Sequence, residues 1–381
     1  MKLKLTPEDF YVREIIDFSK KDPGETFQYF LMWKRNLTTI RAIKIISKKL
    51  KISKKRISFA GEKDKKAITE QYISIRGLRD FQERYDFGNV KLKYIGSFGE
   101  PIRISDISYN YFEIKAREVT SEELKAFEKN VDIYKEGFIN YFDEQRFGDI
   151  RCNNHLIGKE LIKRNWEEAC KVLLTFESNN ENVLATNARH WLKSNWGKWK
   201  EAITKFPKWL DIELAVLNYL VSNPIDFLGA LKKLHKRLLK MFIHSYQSYL
   251  WNLAVSKFIY NNCENLKEIH LSFGELKIPN DKEFITQHKE TRVPIIGYDT
   301  NLDKYSQFKK IYLNLLSQEN ISLEDFFFIE IPYLSSEGHE RKMIETPKNL
   351  EYEIKEDHIL LRFMLSRGTY ATMLIKHLFI K

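Results

Sequence analysis

Hydrophobic and polar positions alternate with period two at several places in the first 150 residues. Val90, Leu92 and Tyr94 alternate with Lys91 and Lys93; Phe112, Ile114 and Ala116 alternate with Glu113, Lys115 and Arg117. That period predicts half-buried strands, antiparallel and wet on one face. Residues 4–16 read as extended. Between them, residues 38–50 change period. Ile40, Ile43, Ile46 and Leu50 fall on one helix face, and Thr38 or Thr39 stands where an N-cap is wanted. Residues 121–138 also predict a helix.

From about 155 to 260 helical spacing dominates. Leu228, Leu231, Leu234 and Leu238 form a stripe that runs on to Phe242. Residues 261–351 are polar and irregular, with turn signals at Pro279, Pro294 and Gly297. The chain then closes on an apolar strand, Ile359, Leu361, Phe363 and Leu365, broken by Gly368 before a last helix over 370–378. A terminal strand this apolar needs cover on both faces. It is expected to return to the sheet of residues 1–150, which makes the middle of the chain an insertion.

Composition narrows the function classes. The chain has 381 residues, enough for two domains, and 43% of them are hydrophobic, enough for real cores. No run approaches the roughly 18 apolar residues of a membrane span. The opening MKLKLTPEDF has no apolar signal core, and Cys152, Cys170 and Cys263 lie far apart. A reducing cytoplasm is expected. Net charge is +11, from 63 Lys and Arg against 52 Asp and Glu, which suits an anionic partner.

The candidate chemistry starts at residues 59–71, FAGEKDKKAITEQ. Asp64 stands among Lys63, Lys65 and Lys66, between stretches that read as strands (57–59 and 72–75). A carboxylate on a basic turn suits a nucleophile or base whose neighbours hold a polyanion. Taken alone, a surface aspartate paired with lysines explains the same pattern. Thr69 and Gln71 can orient the turn by hydrogen bonds. A second segment, INYFDEQRFGDIRCNN at 139–154, offers amides (Asn140, Gln145, Asn153, Asn154), Arg146 and stacking rings. A third, SRGTYATMLIKHL at 366–378, places Tyr370 before a helix; a core tyrosine is its simplest reading. Basic helices at 191–200 and 232–240 read as solvated faces. P-loop, Rossmann, HExxH and GxSxG motifs are absent, and Asp64 has no clustered second acid for a two-metal nuclease.

FAGEKDKKAITEQ, NYFDEQRFG, SYQSYLWN (245–252) and RGTYATMLIKHL follow one another as in the TruD family of tRNA pseudouridine synthases, and TPEDFYVREI resembles that family's first strand. The resemblance implies an α+β fold: a pseudouridine synthase catalytic domain with a mixed, mostly antiparallel sheet over 1–165 and 345–381, and an inserted α/β TRUD domain over 166–344. It implies isomerisation of a tRNA uridine, at position 13, on a flipped-out base in a cleft between the domains. Asp64 matches the catalytic aspartate, Phe10 and Asn140 substrate contacts, Tyr370 an aromatic before the Ala-Thr pair, and Lys4 a basic partner of the acid. No cofactor and no metal are expected, and the protein is expected to be a monomer with tRNA as partner and no membrane. Two departures stand out. Asp143 replaces a glycine, which matters if that backbone needs positive φ, and Ser366 replaces a proline, which would loosen the turn at Gly368. Two rivals remain at this point: a non-catalytic RNA-binding protein of the same fold, and a metal-dependent phosphodiesterase using Asp64 and Asp149.

Overall fold

The computed structural model describes residues 1–381. They fold as two units: Met1–Phe138 with Glu345–Lys381, and Ile139–Ile344. The chain begins with β1 (Phe10–Ile16), β2 (Pro23–Arg35), α1 (Thr39–Lys49), β3 (Ile57–Phe59), β4 (Ile68–Arg76), β5 (Arg84–Asp86), β6 (Val90–Phe98), β7 (Ile107–Arg117) and α2 (Ser121–Tyr134). It leaves this unit through β8 (Phe138–Ile139). The second unit contains α3 (Asn154–Ile162), α4 (Trp166–Thr175), α5 (Val183–Ser194), α6 (Trp199–Lys205), α7 (Asp211–Ser222), α8 (Phe227–Leu231) and α9 (Lys236–Asn262). Then come β9 (Leu266–Leu271), β10 (Gly274–Pro279), α10 (Lys282–Gln287), β11 (Arg292–Ile295), α11 (Ser306–Gln318) and β12 (His339–Lys342). The chain returns through β13 (Ile344–Glu345) and ends with β14 (Lys348–Ile354), β15 (His358–Ser366) and α12 (Ala371–Phe379).

Eight strands of the first unit lie side by side in the order β14-β15-β7-β1-β4-β2-β6-β5, and β3 adds to β4. Only β1 and β4 run parallel. The sheet is therefore mixed and mostly antiparallel, and the fold is α+β. The terminal apolar strand does return to it: β15 pairs with β7, setting Leu361 opposite Ile114 and Phe363 opposite Phe112.

Period two decides which side chains the sheet buries. Phe30 and Met32 of β2 face the same way as Ile73 of β4 and Leu92 of β6, and α1 covers them with Ala42, Ile43 and Ile46. Burying each of these larger apolar side chains contributes about 1.5–3 kcal/mol. Thr38 caps α1, accepting from the Arg41 amide at 3.2 Å. The buried stripe differs from the expected one. Ile40 faces solvent, and Thr39 and Ala42 take the inner positions. Residues 4–16 are not one extended run either. A 3-10 turn, Pro7–Asp9, interrupts them because Pro7 fixes φ and Asp9 accepts from the Thr6 amide.

The second unit is largely helical, with two-stranded ribbons β9–β10 and β11–β12. Those ribbons and α10 and α11 occupy 266–342, where the sequence suggests irregular chain. The leucine stripe of 228–242 is also broken. His235 caps α9 by accepting from the Arg237 amide, so α8 and α9 are separate helices. The unit begins at Ile139 rather than at the expected 166. The reason is α3, which packs on α9 at Gly158; a Cβ there would lie 2.0 Å from the Phe242 carbonyl oxygen.

Candidate active site

Asp64 sits on the connection between β3 and β4. A lysine bound from beneath and a set of polar side chains hold that connection. Phe30, Met32 and Lys34 share the inward face of β2, so Lys34 is carried into the core and is fully buried. An ammonium there must spend its donors. It gives them to three backbone carbonyls: Leu37 at 2.8 Å, Asp64 at 2.8 Å and Lys63 at 3.4 Å. Burial lowers the Lys34 pKa to about 8, against the opposing pull of the Asp64 carboxylate. Thr39 Oγ1 accepts from the Lys63 amide at 3.0 Å and donates to Gln71 Oε1 at 2.9 Å. Gln71 Nε2 in turn donates to the Gly61 carbonyl at 3.1 Å. Gln71 thus orients the turn, as its position suggests. Thr69 does not: its hydroxyl is buried with no partner.

The Lys63 side chain points inward to Glu14, which shares a face of β1 with Phe10 and Val12. Its Nζ lies 2.8 Å from Glu14 Oε1, and Glu14 Oε2 accepts from the Tyr72 amide at 2.8 Å. Burial raises the Glu14 pKa despite the Lys63 charge. Lys63 is therefore structural, whereas Lys65 and Lys66, which follow Asp64, are exposed.

Above this base, Lys4 Nζ donates to Asp64 Oδ1 at 2.9 Å and stands 4.0 Å over the centre of the Phe10 ring. The carboxylate stays 27% exposed and the Lys4 side chain 24%. No protein donor reaches Oδ2. Phe10 is buried, edge-on to Phe112, with Lys4 above it. It forms a floor under the ion pair and is not an open stacking face. Lys4 reaches Asp64 from a backbone at φ 55°, an uncommon region for a residue with a side chain. The segment is pinned on both sides of it. Lys2 and Arg117 exchange backbone hydrogen bonds at 2.7 and 3.0 Å, and Arg117 Nε donates to buried Asp9 at 2.8 Å.

The structure brings Lys4, Phe10 and Asp64 together. Tyr370 is half-buried in the same unit, extended at φ −98° just ahead of α12. The turn before it uses Gly368 at φ 79°, a conformation glycine adopts without strain. Ser366 does not loosen that turn. Its amide donates to Glu345 Oε1 at 3.0 Å, a bond that proline could not make. Asn140 belongs to the second unit. It is buried, with Arg341 donating to its Oδ1 at 2.5 Å and its own amide donating to the Lys342 carbonyl at 3.2 Å. Arg341 also lies 4.2 Å over Phe142. Asp143 has φ −85°, so no positive φ is required of it; its carboxylate caps the following 3-10 turn.

Lys34 and Glu14 escaped the sequence, although alternation carries a signal for both. Each is the third member of an inward-facing series, Phe30-Met32-Lys34 and Phe10-Val12-Glu14. A charged residue in core register is worth asking about.

The family model described as tRNA pseudouridine synthase D (TruD) matches residues 1–378. A Nanoarchaeum equitans protein described as a probable tRNA pseudouridine synthase D is 36% identical, covering 100% of this chain and 99% of its own. The tRNA pseudouridine synthase D of Aquifex aeolicus is 32% identical, covering 100% and 98%. The crystal structure of the Methanosarcina mazei protein assigned to TruD superimposes with a TM-score of 0.73 at 27% identity, over 99% of this chain and 93% of that one. The chain belongs to the tRNA pseudouridine synthase D (TruD) family.

Proposed function

We propose that this protein converts uridine to pseudouridine in tRNA, at position 13, and that Asp64 acts at the sugar of the target nucleotide. The reaction breaks the N1–C1′ bond, turns the uracil and joins C5 to C1′. The hydrogen on C5 is lost and N1 gains one, so composition does not change and no redox partner is consumed. The base must leave its stack to be reached.

The observation that carries this reading is the half-open carboxylate. Lys4 holds Oδ1, leaving Oδ2 free to meet C1′ or a sugar proton. The clamp from Lys34, Thr39 and Gln71 fixes the turn before substrate arrives, the kind of positioning that supplies much of an enzymatic rate. Exposed Lys65 and Lys66 suit the flanking phosphates. Tyr370 packs against the extruded nucleotide, and Phe10 supports the Lys4–Asp64 pair from below rather than stacking on the base.

The test is pseudouridine mapping on an unmodified tRNA transcript incubated with the pure protein, with and without EDTA. A new pseudouridine at position 13, in either condition and without strand cleavage, is expected. Product at another uridine would replace the position. Cleavage, or no product at all, would overturn the reading.

A further inference from the structure

We infer that a groove between α9 and α11 in the second unit holds an unpaired nucleotide of the bound tRNA, away from the uridine that is modified. The inference rests on the tRNA reading above and adds a second contact to it. The two helices are joined by the stacked rings of Phe258 and Phe308, 4.7 Å apart. Beside that contact lies a cavity of about 790 Å³, within the range of about 300–1,000 Å³ that takes small ligands. Its walls are two helical stripes, Lys257, Tyr260 and Asn261 from α9 and Gln307, Lys310 and Asn314 from α11, with Lys277 of β10, which pairs with Glu268, beside them. These spacings of three, four and seven put each set on one face.

The chemistry of those walls selects the occupant. No carboxylate lines the groove. Lys310 makes no ion pair, and Lys257 rests its ammonium 4.9 Å over the Tyr260 ring. That ring is 55% exposed. Two cations, a presented ring and several amides match a phosphate, a base face and base edges respectively. A duplex backbone would use the lysines but not the ring, so the fit is to a looped-out or single-stranded nucleotide. tRNA is far larger than one uridine pocket, and its affinity is expected to be spread over several such phosphate contacts.

The experiment compares three full-length proteins for binding to unmodified tRNA and to a perfect RNA duplex across a salt series. They are wild type, K257Q/K310Q, and the control K125Q/K129Q, which removes two exposed lysines of α2. All four positions are exposed, so folding is preserved. The groove variant is expected to bind tRNA about tenfold more weakly, with its salt slope reduced by about 1.4, two single-strand contacts at about 0.7 each. Its affinity for duplex falls less than its affinity for tRNA, and its kcat at saturating tRNA stays at the wild-type value. Tyr260→Ser weakens tRNA binding several-fold and Tyr260→Phe does not. The inference is overturned if the groove variant matches the control on tRNA, or if it loses tRNA and duplex affinity equally. Pseudouridine formation by the wild type on the same transcript separates the two levels. Product with no groove effect sinks only this inference, whereas no product sinks the reading beneath it.

Discussion

Lys34 links the charge state of one buried side chain to the position of Asp64. With its pKa lowered by burial to about 8, it is mostly charged at neutral pH and loses its proton as pH rises through 8. The neutral amine then keeps two N–H groups for the three carbonyls of Leu37, Lys63 and Asp64 and loses the charge that strengthens those bonds. Turnover on saturating tRNA is expected to fall along that limb, and Lys34→Met should abolish the limb while lowering turnover at pH 7 by about 10–100-fold, the scale of an ångström-level displacement. Stability should move the opposite way. The unfolded lysine titrates near 10.4, so between about pH 8 and 10.4 the unfolded chain binds more protons and this group alone makes folding more favourable as pH rises. Urea denaturation at pH 7.5 and 9.5, beside a pH–rate profile, separates the two effects; a rate limb unchanged in Lys34→Met would refute the assignment. Glu14 gives a second residue-scale prediction. Glu14→Gln leaves the Lys63 ammonium without its anion, and breaking a buried pair costs about 3–5 kcal/mol. Reduced thermal stability is expected, with tRNA affinity unchanged; an unaltered melting temperature would show that the pair does not secure the turn.

At the scale of elements, the segment before β1 delivers Lys4. Burial would raise the Asp9 pKa, but the Thr6 amide and the Arg117 guanidinium outweigh it, and the carboxylate is held below its usual range. A depressed carboxylate stabilises the fold above its unfolded pKa, about 3.9, and that contribution disappears as pH falls through the folded value. Asp9→Asn is therefore expected to be less stable than the wild type at pH 6, with the gap closing below pH 4. A gap independent of pH would mean that Asp9 acts through shape alone. Much at this scale was legible in the chain. Alternation marked β6 and β7, the Thr38 cap marked α1, and the apolar run at 359–365 predicted its own return to the sheet. What stayed hidden depended on partners distant in sequence. β11 and β12 pair across more than forty residues, and neither carries a pattern that names the other. The division between α8 and α9 turned on a single capping side chain, His235, inside an otherwise continuous leucine stripe. Gly158, a glycine inside a helix, signals a close approach in the sequence, but only the structure shows that α9 is what approaches it.

At the scale of the whole molecule, charge and motif order were legible and geometry was not. A net charge of +11 says that a polyanion is welcome, and tRNA affinity is expected to fall linearly in log–log form with salt, each phosphate contact adding about 0.7–0.9 to the slope. A salt-independent affinity would contradict an electrostatic interface. The motifs indicated which residues matter but not how Lys4 reaches Asp64 across sixty positions, because that depends on β1 lying parallel to β4 with the N-terminal segment tied back to Arg117. No helix is long and apolar enough to cross a membrane. The most direct measurement takes wild type and Asp64→Asn, equally folded by circular dichroism, and quantifies pseudouridine in an unmodified tRNA transcript alongside tRNA affinity. The account predicts product from the wild type and none from the variant, with affinities within a few-fold. Undiminished product from Asp64→Asn would contradict it.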